Sequence, residues 1–365
     1  MFLWWSSCLP VGNIHVAFVP REGECAVTDA HVHFRDFSQC SKETVLHGML
    51  TGAKAGFDVF FDMPNTNPPV TDSETAKKRI ELGLEAKQRL KDLGYDVNYH
   101  IYLGITADPI QISDVVSAYN KLFPSVCALK MFASQSTGNM GIIGKEKQFE
   151  IFRNLANLDY RGVLAVHCEK EELFDPSGVH HCEKRPAISE EESVRDQIEN
   201  VQKSGFKGTL HIAHVSTNGA LQAIIDARQW GMRITCGATP HHILLNSESE
   251  SDIVKMNPPL RSESDRLAIW NALFDGTIDW VESDHAPHTL KDKKAGASGI
   301  PGFEGMLRAI RKLREAGMSE KRLNELFCTN ALSVFKIEEA SSPVPQITDQ
   351  MISEARSAYP FSTWN

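Results

Sequence analysis

Asp29-Ala30-His31-Val32-His33-Phe34-Arg35 alternates polar residues with small or apolar ones. In an extended strand such alternation sends residues 29, 31, 33 and 35 to one face. That face would carry a carboxylate, two imidazoles and a guanidinium, which are costly to bury unless something pairs them. Two histidines separated by one residue at a strand end can grip a metal ion from one side. A solvated edge strand with chance histidines is the competing reading, and this segment alone leaves both open. Ligand-type residues at later strand ends decide between them.

Working outward, the first strand is followed by a helical stretch over 41–54. Strand-like runs then recur at 57–63, 97–103, 126–132, 163–167, 209–214, 232–237 and 278–282, each ahead of a helical stretch: 71–93, 110–122, 145–157, 190–204, 218–230, 263–274 and 303–335. Eight strand-then-helix units imply parallel strands joined by right-handed crossovers. A closed (β/α)8 TIM barrel over 27–335 is predicted. An open doubly wound sheet is disfavoured, because no Gly-rich phosphate fingerprint follows the first strand. Residues 1–26 read as an N-terminal arm and 336–365 as an irregular C-terminal tail.

The 365 residues are 42% hydrophobic with 24 Gly, enough for one large core, and the net charge is −9 without a Lys/Arg-rich run. That balance excludes a nucleic-acid surface or a polybasic membrane anchor. The eight cysteines form no CxxC and read as reduced thiols. The apolar start Met1-Phe2-Leu3-Trp4-Trp5 is shorter than the apolar core of a signal peptide, about 7–15 residues. No stretch approaches the length of a membrane span. A cytoplasmic location is expected, and the sequence leaves monomer and homodimer both open.

In a TIM barrel, active sites sit at the C-terminal ends of the strands. His31, His33, Lys130, His167, His214 and Asp284 fall at that end of strands one, four, five, six and eight. Parity predicts an inward aim: Val163, Ala165 and His167 share a face, as do Ala128 with Lys130, and Leu210 with Ile212 and His214. His211 then faces the other way and is left out. Four His and one Asp without Cys suit Zn²⁺ or a similar divalent ion, and two ions roughly 3.5–4 Å apart can share a bridging hydroxide. Residue chemistry leaves Lys130 between two readings, an ammonium paired elsewhere or a neutral amine converted by CO2 to a bridging carbamate. Asp284, touching both metal and hydroxide, would act as general base and then general acid; a helix N-cap is its plain alternative. Arg35, Asn65, Asn257 and His288 describe an anionic pocket beside the metals, with Arg35 offering a planar fork for a carboxylate.

The motifs Asp29-Ala30-His31-Val32-His33-Phe34-Arg35, Met63-Pro64-Asn65-Thr66, Leu129-Lys130-Met131-Phe132, Val166-His167-Cys168-Glu169, Ala213-His214-Val215-Ser216, Pro240-His241-His242, Asn257-Pro258-Pro259-Leu260-Arg261 and Ser283-Asp284-His285-Ala286-Pro287-His288 run in one order. Together they resemble the dihydroorotases of the amidohydrolase superfamily, over about residues 27–335. The resemblance implies that His31, His33, carbamylated Lys130 and Asp284 hold one zinc, and Lys130, His167 and His214 the other. It implies Arg35, Asn65 and His288 on the substrate carboxylate, with Asn257, Gly302 and Phe303 around the pyrimidine ring and the 133–141 loop as a cover. The implied reaction is reversible closure of N-carbamoyl-L-aspartate to L-dihydroorotate in pyrimidine (UMP) biosynthesis. Two departures stand out. Asp36-Phe37 follows Arg35 where the family has an acidic residue and Pro, and the accessory β-sandwich of many relatives is expected to be reduced or absent. Allantoinases and hydantoinases share the metal ligands, but their substrates lack the carboxylate that Arg35 and Asn65 address. A non-catalytic dihydroorotase-like partner protein would be expected to lack ligands, and all six are here.

Overall fold

Val59-Phe60-Phe61-Asp62 and Val163-Leu164-Ala165-Val166-His167 are buried along their whole length, as strands are when parallel and covered on both faces. The structure, a computed structural model, describes residues 27–135, 140–339 and 342–364. Eight parallel strands follow one another in a single sheet: β1 Thr28–Val32, β2 Val59–Asp62, β3 Asn98–Gly104, β4 Val126–Phe132, β5 Val163–His167, β6 Thr209–Ile212, β7 Ile234–Ala238 and β8 Trp280–Val281. The alternation with helices makes a (β/α)8 barrel.

Strand β8 is only two residues long, so the seam back to β1 is closed by other means. The Ser283 N–H donates to Asp29 Oδ1 at 3.0 Å, and the His33 N–H donates to the His285 carbonyl at 2.7 Å. Residues just past β8 are thereby fastened to the strand that carries His31 and His33.

Most buried apolar residues fall into two layers. Ala30, Val59, Phe61, Tyr102, Ala128, Ala165 and Trp280 cluster inside the barrel. Phe34, Phe60, Ile101, Leu129, Leu210 and Ile212 belong to the larger layer shared with the helices. From helix Ser73–Asp92, buried Arg79 pairs with Asp62 at the end of β2 and donates to the Arg35 carbonyl at 3.0 Å. The turn after β1 is thus tied to a buried ion pair.

Parity fails in two places. Leu210 and Ile212 face the helices, and it is His211 that points inward, stacked on Trp280 with ring centroids 4.3 Å apart. His214 reaches the centre because β6 ends at Ile212 and the chain turns, with φ of +42° at His214. In β1 the register with β2 slips between Asp29 and Val32, so Asp29 does not share one regular row with the histidines and instead ties the seam.

The 336–365 stretch, expected to be irregular, contains helix Asp349–Ser357, capped by Thr348 and packed against helices Val45–Lys54 and Phe303–Glu315. Among the described residues no strand lies outside the barrel sheet. The arm expected over 1–26 and residues 136–139 of the expected cover loop lie outside the described residues.

Candidate active site

The C-terminal rim gathers side chains from five strands. His31 Nε2 and His33 Nε2 are 3.2 Å apart, and Asp284 Oδ1 is 3.4 Å from the first and 2.9 Å from the second. One ligand atom from each lies within 4.8 Å of the other two. His214 joins this trio to His167: ring centroids are 5.3 Å apart for His31 and His214, and His167 Nδ1 is 3.1 Å from His214 Nε2. Lys130 is fully buried in β4, with its Nζ 5.1 Å from the centre of the Phe132 ring and no hydrogen-bond partner among the described residues.

Hydrogen-bond chemistry fixes which nitrogens face inward. A carboxylate accepts and does not donate. Glu169 Oε2 therefore takes the Nε2–H of His167 at 2.9 Å, leaving the Nδ1 lone pair aimed at His214. Glu169 is held in turn by Arg185. In the same way Asn65 Oδ1 takes the Nδ1–H of His33 at 2.6 Å, and the Nε2 lone pair of His33 is left facing Asp284. The His33 lone pair and the Asp284 carboxylate it faces repel unless a cation stands between them. The donor set fits metal ions of the kind imidazole and carboxylate prefer, and Asn65 and Glu169 supply the outer hydrogen bonds that ligating histidines use.

The electrostatics agree. Burial and the Lys130 charge push His31 down to about 4. Burial likewise lowers His167 and His214, both with help from Lys130. These rings are neutral, as metal ligation requires. Burial pushes Lys130 itself down to about 8. For Asp284, burial works upward, but the neighbouring His33 and His31 rings hold the carboxyl well below its ordinary range.

Beside these groups opens a cavity lined by Arg35, Asn65, Phe132, Asn257, Ser298 and Gly299 as well as the metal-type ligands. Arg35 is buried, and its described hydrogen bonds go to the Pro287 carbonyl at 3.4 Å and His288 Nε2 at 3.3 Å, neither of them an anion. Its Nη1 has no partner among the described residues. Burial, the largest influence, lowers the guanidinium to about 10; it remains a cation.

Gly302 and Phe303 do not line the cavity. The Gly302 N–H donates to His285 Nδ1, and the Phe303 ring stacks on His285 with centroids 4.2 Å apart, inside the outer core. The same loop reaches the cavity three to four residues earlier, through Ser298 and Gly299. Gly299 has φ of +125°, and a Cβ there would stand 2.7 Å from the Ala286 carbonyl oxygen, so only glycine allows this approach. Asn257 does line the cavity and bonds His181 Nε2 at 2.8 Å.

Three contributions were not foreseen from sequence. Glu282 lies inside the barrel, 3.6 Å from His31 Nδ1, and accepts the His214 N–H at 2.7 Å. His241 is buried with neither ring nitrogen partnered among the described residues, close enough to Asp284 to lower its carboxyl. Its motif was visible in Pro240-His241-His242, but nothing in the spacing gave it a direction. Finally, His214 and Asp284 both adopt the left-handed backbone region, with φ of +42° and +48°. Non-glycine residues rarely do so, and they cluster at functional sites when they do.

No protein-family model matches the chain. Among curated proteins it is similar to the dihydroorotase of Pyrococcus furiosus, with 31% identity over 313 residues covering 85% of this chain and 66% of that one. The dihydroorotase of Thermococcus kodakarensis is 33% identical over 282 residues, 76% of this chain and 59% of that one. That of Pyrococcus abyssi is 32% identical over 314 residues, 85% of this chain and 68% of that one. The chain thus spans 59–68% of the lengths of these relatives. Among solved structures, L-hydantoinase (dihydropyrimidinase) from Arthrobacter aurescens superposes with a TM-score of 0.74 at 22% identity, over 88% of this chain and 74% of that one. Dihydroorotase from Saccharomyces cerevisiae, in complex with 5-fluoroorotic acid, does so at 0.69 and 16% identity, over 88% and 86%. At these identities the structural likeness speaks for the fold.

Proposed function

The chain belongs to the dihydroorotase family, and from that premise we propose that it interconverts L-dihydroorotate and N-carbamoyl-L-aspartate. The observation that carries this reading is Arg35, a buried cation without a counter-ion in contact among the described residues, next to the histidine and aspartate cluster. A carboxylate on the substrate would supply the missing anion. A hydantoin or allantoin ring has none to offer, which favours dihydroorotate over those relatives' substrates.

Two divalent ions are the proposed cofactors. His31, His33 and Asp284 would hold one, His167 and His214 the other, with Lys130 between them as a carbamate. Bound there, such ions supply Lewis acidity and ionise water near neutral pH. A neutral, unpartnered amine is the form that can react with CO2, and burial of Lys130 favours that form.

The chain's own residues do the rest. Arg35, which lines the cavity with Asn65 and Asn257, and His288 against its guanidinium would take the substrate carboxylate. Asp284, ionised and at the edge of the cavity, would accept a proton from the attacking water and return it to the ring nitrogen as the amide bond breaks. In the closing direction it would remove the ureido proton. No helix of the described residues is long and apolar enough to cross a membrane, and the six described cysteines are free; a cytoplasmic enzyme is the setting proposed.

The test is turnover of zinc-loaded protein on dihydroorotate, allantoin and hydantoin side by side. Dihydroorotate alone should be consumed to a useful extent. Preference for either of the others would overturn the assignment.

A further inference from the structure

His288, 3% exposed, sits between two cations. Its Nε2 is 3.3 Å from Arg35 Nη2 and its Nδ1 is 3.4 Å from Lys42 Nζ. Lys42 lies in the turn between the 3-10 segment Phe37–Gln39 and helix Val45–Lys54. Guanidinium and ammonium groups donate and never accept. Burial, then Arg35, then Lys42 push the imidazole down to about 2, so the ring is neutral. A neutral imidazole has one N–H and one lone pair. One of its two cationic neighbours must therefore face an N–H.

The surroundings break the tie. On the Nδ1 side the only nearby carboxylate oxygen among the described residues, Asp292 Oδ2, already accepts from the Thr289 N–H at 3.0 Å and the Thr289 hydroxyl at 2.7 Å. It stands 4.0 Å from Nδ1 and 3.8 Å from Lys42 Nζ, so the ammonium lies closer to the imidazole nitrogen than to the carboxylate. On the Nε2 side lies Arg35, which lines the cavity and has Nη1 unpartnered among the described residues. A donor facing a donor is tolerable there, because an anion entering the cavity can accept from both.

We propose that Lys42 is a positioning residue that donates to His288 Nδ1 and so places the ring proton on Nε2, making His288 and Arg35 a pair of N–H donors for one carboxylate. Lys42 need not touch the substrate. It converts a ring that would otherwise merely cap Arg35 into a second donor, and thereby sharpens the choice of an anionic substrate over a neutral cyclic amide. The identity of that anion as the dihydroorotate carboxylate rests on the function proposed above; the tautomer does not.

The experiment has two arms. In ¹⁵N-histidine-labelled protein, the His288 signals, assigned by loss in His288→Asn, should report a protonated Nε2 and a bare Nδ1. Lys42→Met should shift the ring towards the other tautomer, and Lys42→Arg should keep the wild-type pattern. In the kinetic arm, Lys42→Met should raise KM for dihydroorotate on the order of tenfold, the size of one hydrogen bond to a charged group, with kcat little changed, and Lys42→Arg should recover most of the loss. A wild-type ring protonated on Nδ1, or a Lys42→Met protein with both tautomer and KM unchanged, overturns the proposal. The first arm needs no turnover. Wild-type protein inert towards dihydroorotate would therefore sink the substrate assignment while the tautomer still judges Lys42.

Discussion

Asn65 Oδ1 accepts a hydrogen bond from His33 Nδ1 at 2.6 Å, so the loop after β2 dictates which nitrogen a β1 histidine turns towards the site. Sequence reasoning gives Asn65 to the substrate alone. Asn65→Ala should consequently weaken metal binding as well as substrate binding, by about 10–100-fold for an outer partner of a ligating histidine. Competition of the purified variant against a chelator measures this. Unchanged metal affinity with a raised KM would return Asn65 to the substrate alone.

Arg35 is set by its surroundings before any ligand arrives: its carbonyl is held by Arg79, and its head is buried beside His288. Arg35→Ala should raise KM for dihydroorotate by roughly 10- to 100-fold, since it removes charge-assisted hydrogen bonds. Arg35→Lys should recover little, because an ammonium cannot reproduce the planar fork. Steady-state kinetics on both variants decides.

Asp284→Asn keeps size and shape while removing the proton acceptor. Turnover should fall about 10²–10⁴-fold, the range for losing a general acid–base group, with the metal content of the purified protein retained. Near-normal kcat would contradict the proton role, and loss of metal would show that the carboxylate is needed as a ligand.

Glu43 carries a pH prediction. Buried Glu43 accepts from His285 Nε2 at 3.0 Å, from His47 Nδ1 at 3.0 Å and from the Tyr359 hydroxyl at 2.7 Å. Burial alone would push its carboxyl up, but the charges and hydrogen bonds of His285 and His47 outweigh it and hold the group down at about 2. A carboxyl depressed in the fold contributes stability that is complete above its ordinary pKa, near 4.5, and is lost as pH falls towards 2. Urea unfolding at a series of pH values should find wild type more stable than Glu43→Gln at neutral pH, with the gap closing through that acidic window. A gap that widens in acid would contradict the assignment.

How much of this was readable beforehand follows from physics. The barrel is legible because buried parallel strands are continuous apolar runs with helices between them, and eight of them in order admit few topologies. The convergence of His31, His33, Lys130, His167, His214 and Asp284 on one rim follows from their shared place at strand ends. The details are lost where the backbone leaves regular geometry. Two-residue periodicity sends His214 inward for the wrong reason, because it is a turn and not the pleat that aims it, and it leaves His211 facing out when the ring lies inside. Gly299 carries no sequence signal for its place in the cavity lining, because only its φ of +125° and its approach to Ala286 set it apart from the other glycines of that loop. The helix Asp349–Ser357 was missed because its apolar positions are few and take meaning only from the helices they meet.

The left-handed backbone at His214 and Asp284 gives these two positions a cost that their side chains alone do not reveal. Such conformations run against the intrinsic preference of L residues by about 1–3 kcal/mol each. Glycine at either position would relax the main chain and return part of that energy as tolerance to heat, while deleting a ligand. The rim of this barrel is therefore a place where a search for thermostable variants and a search for active ones would pull in opposite directions.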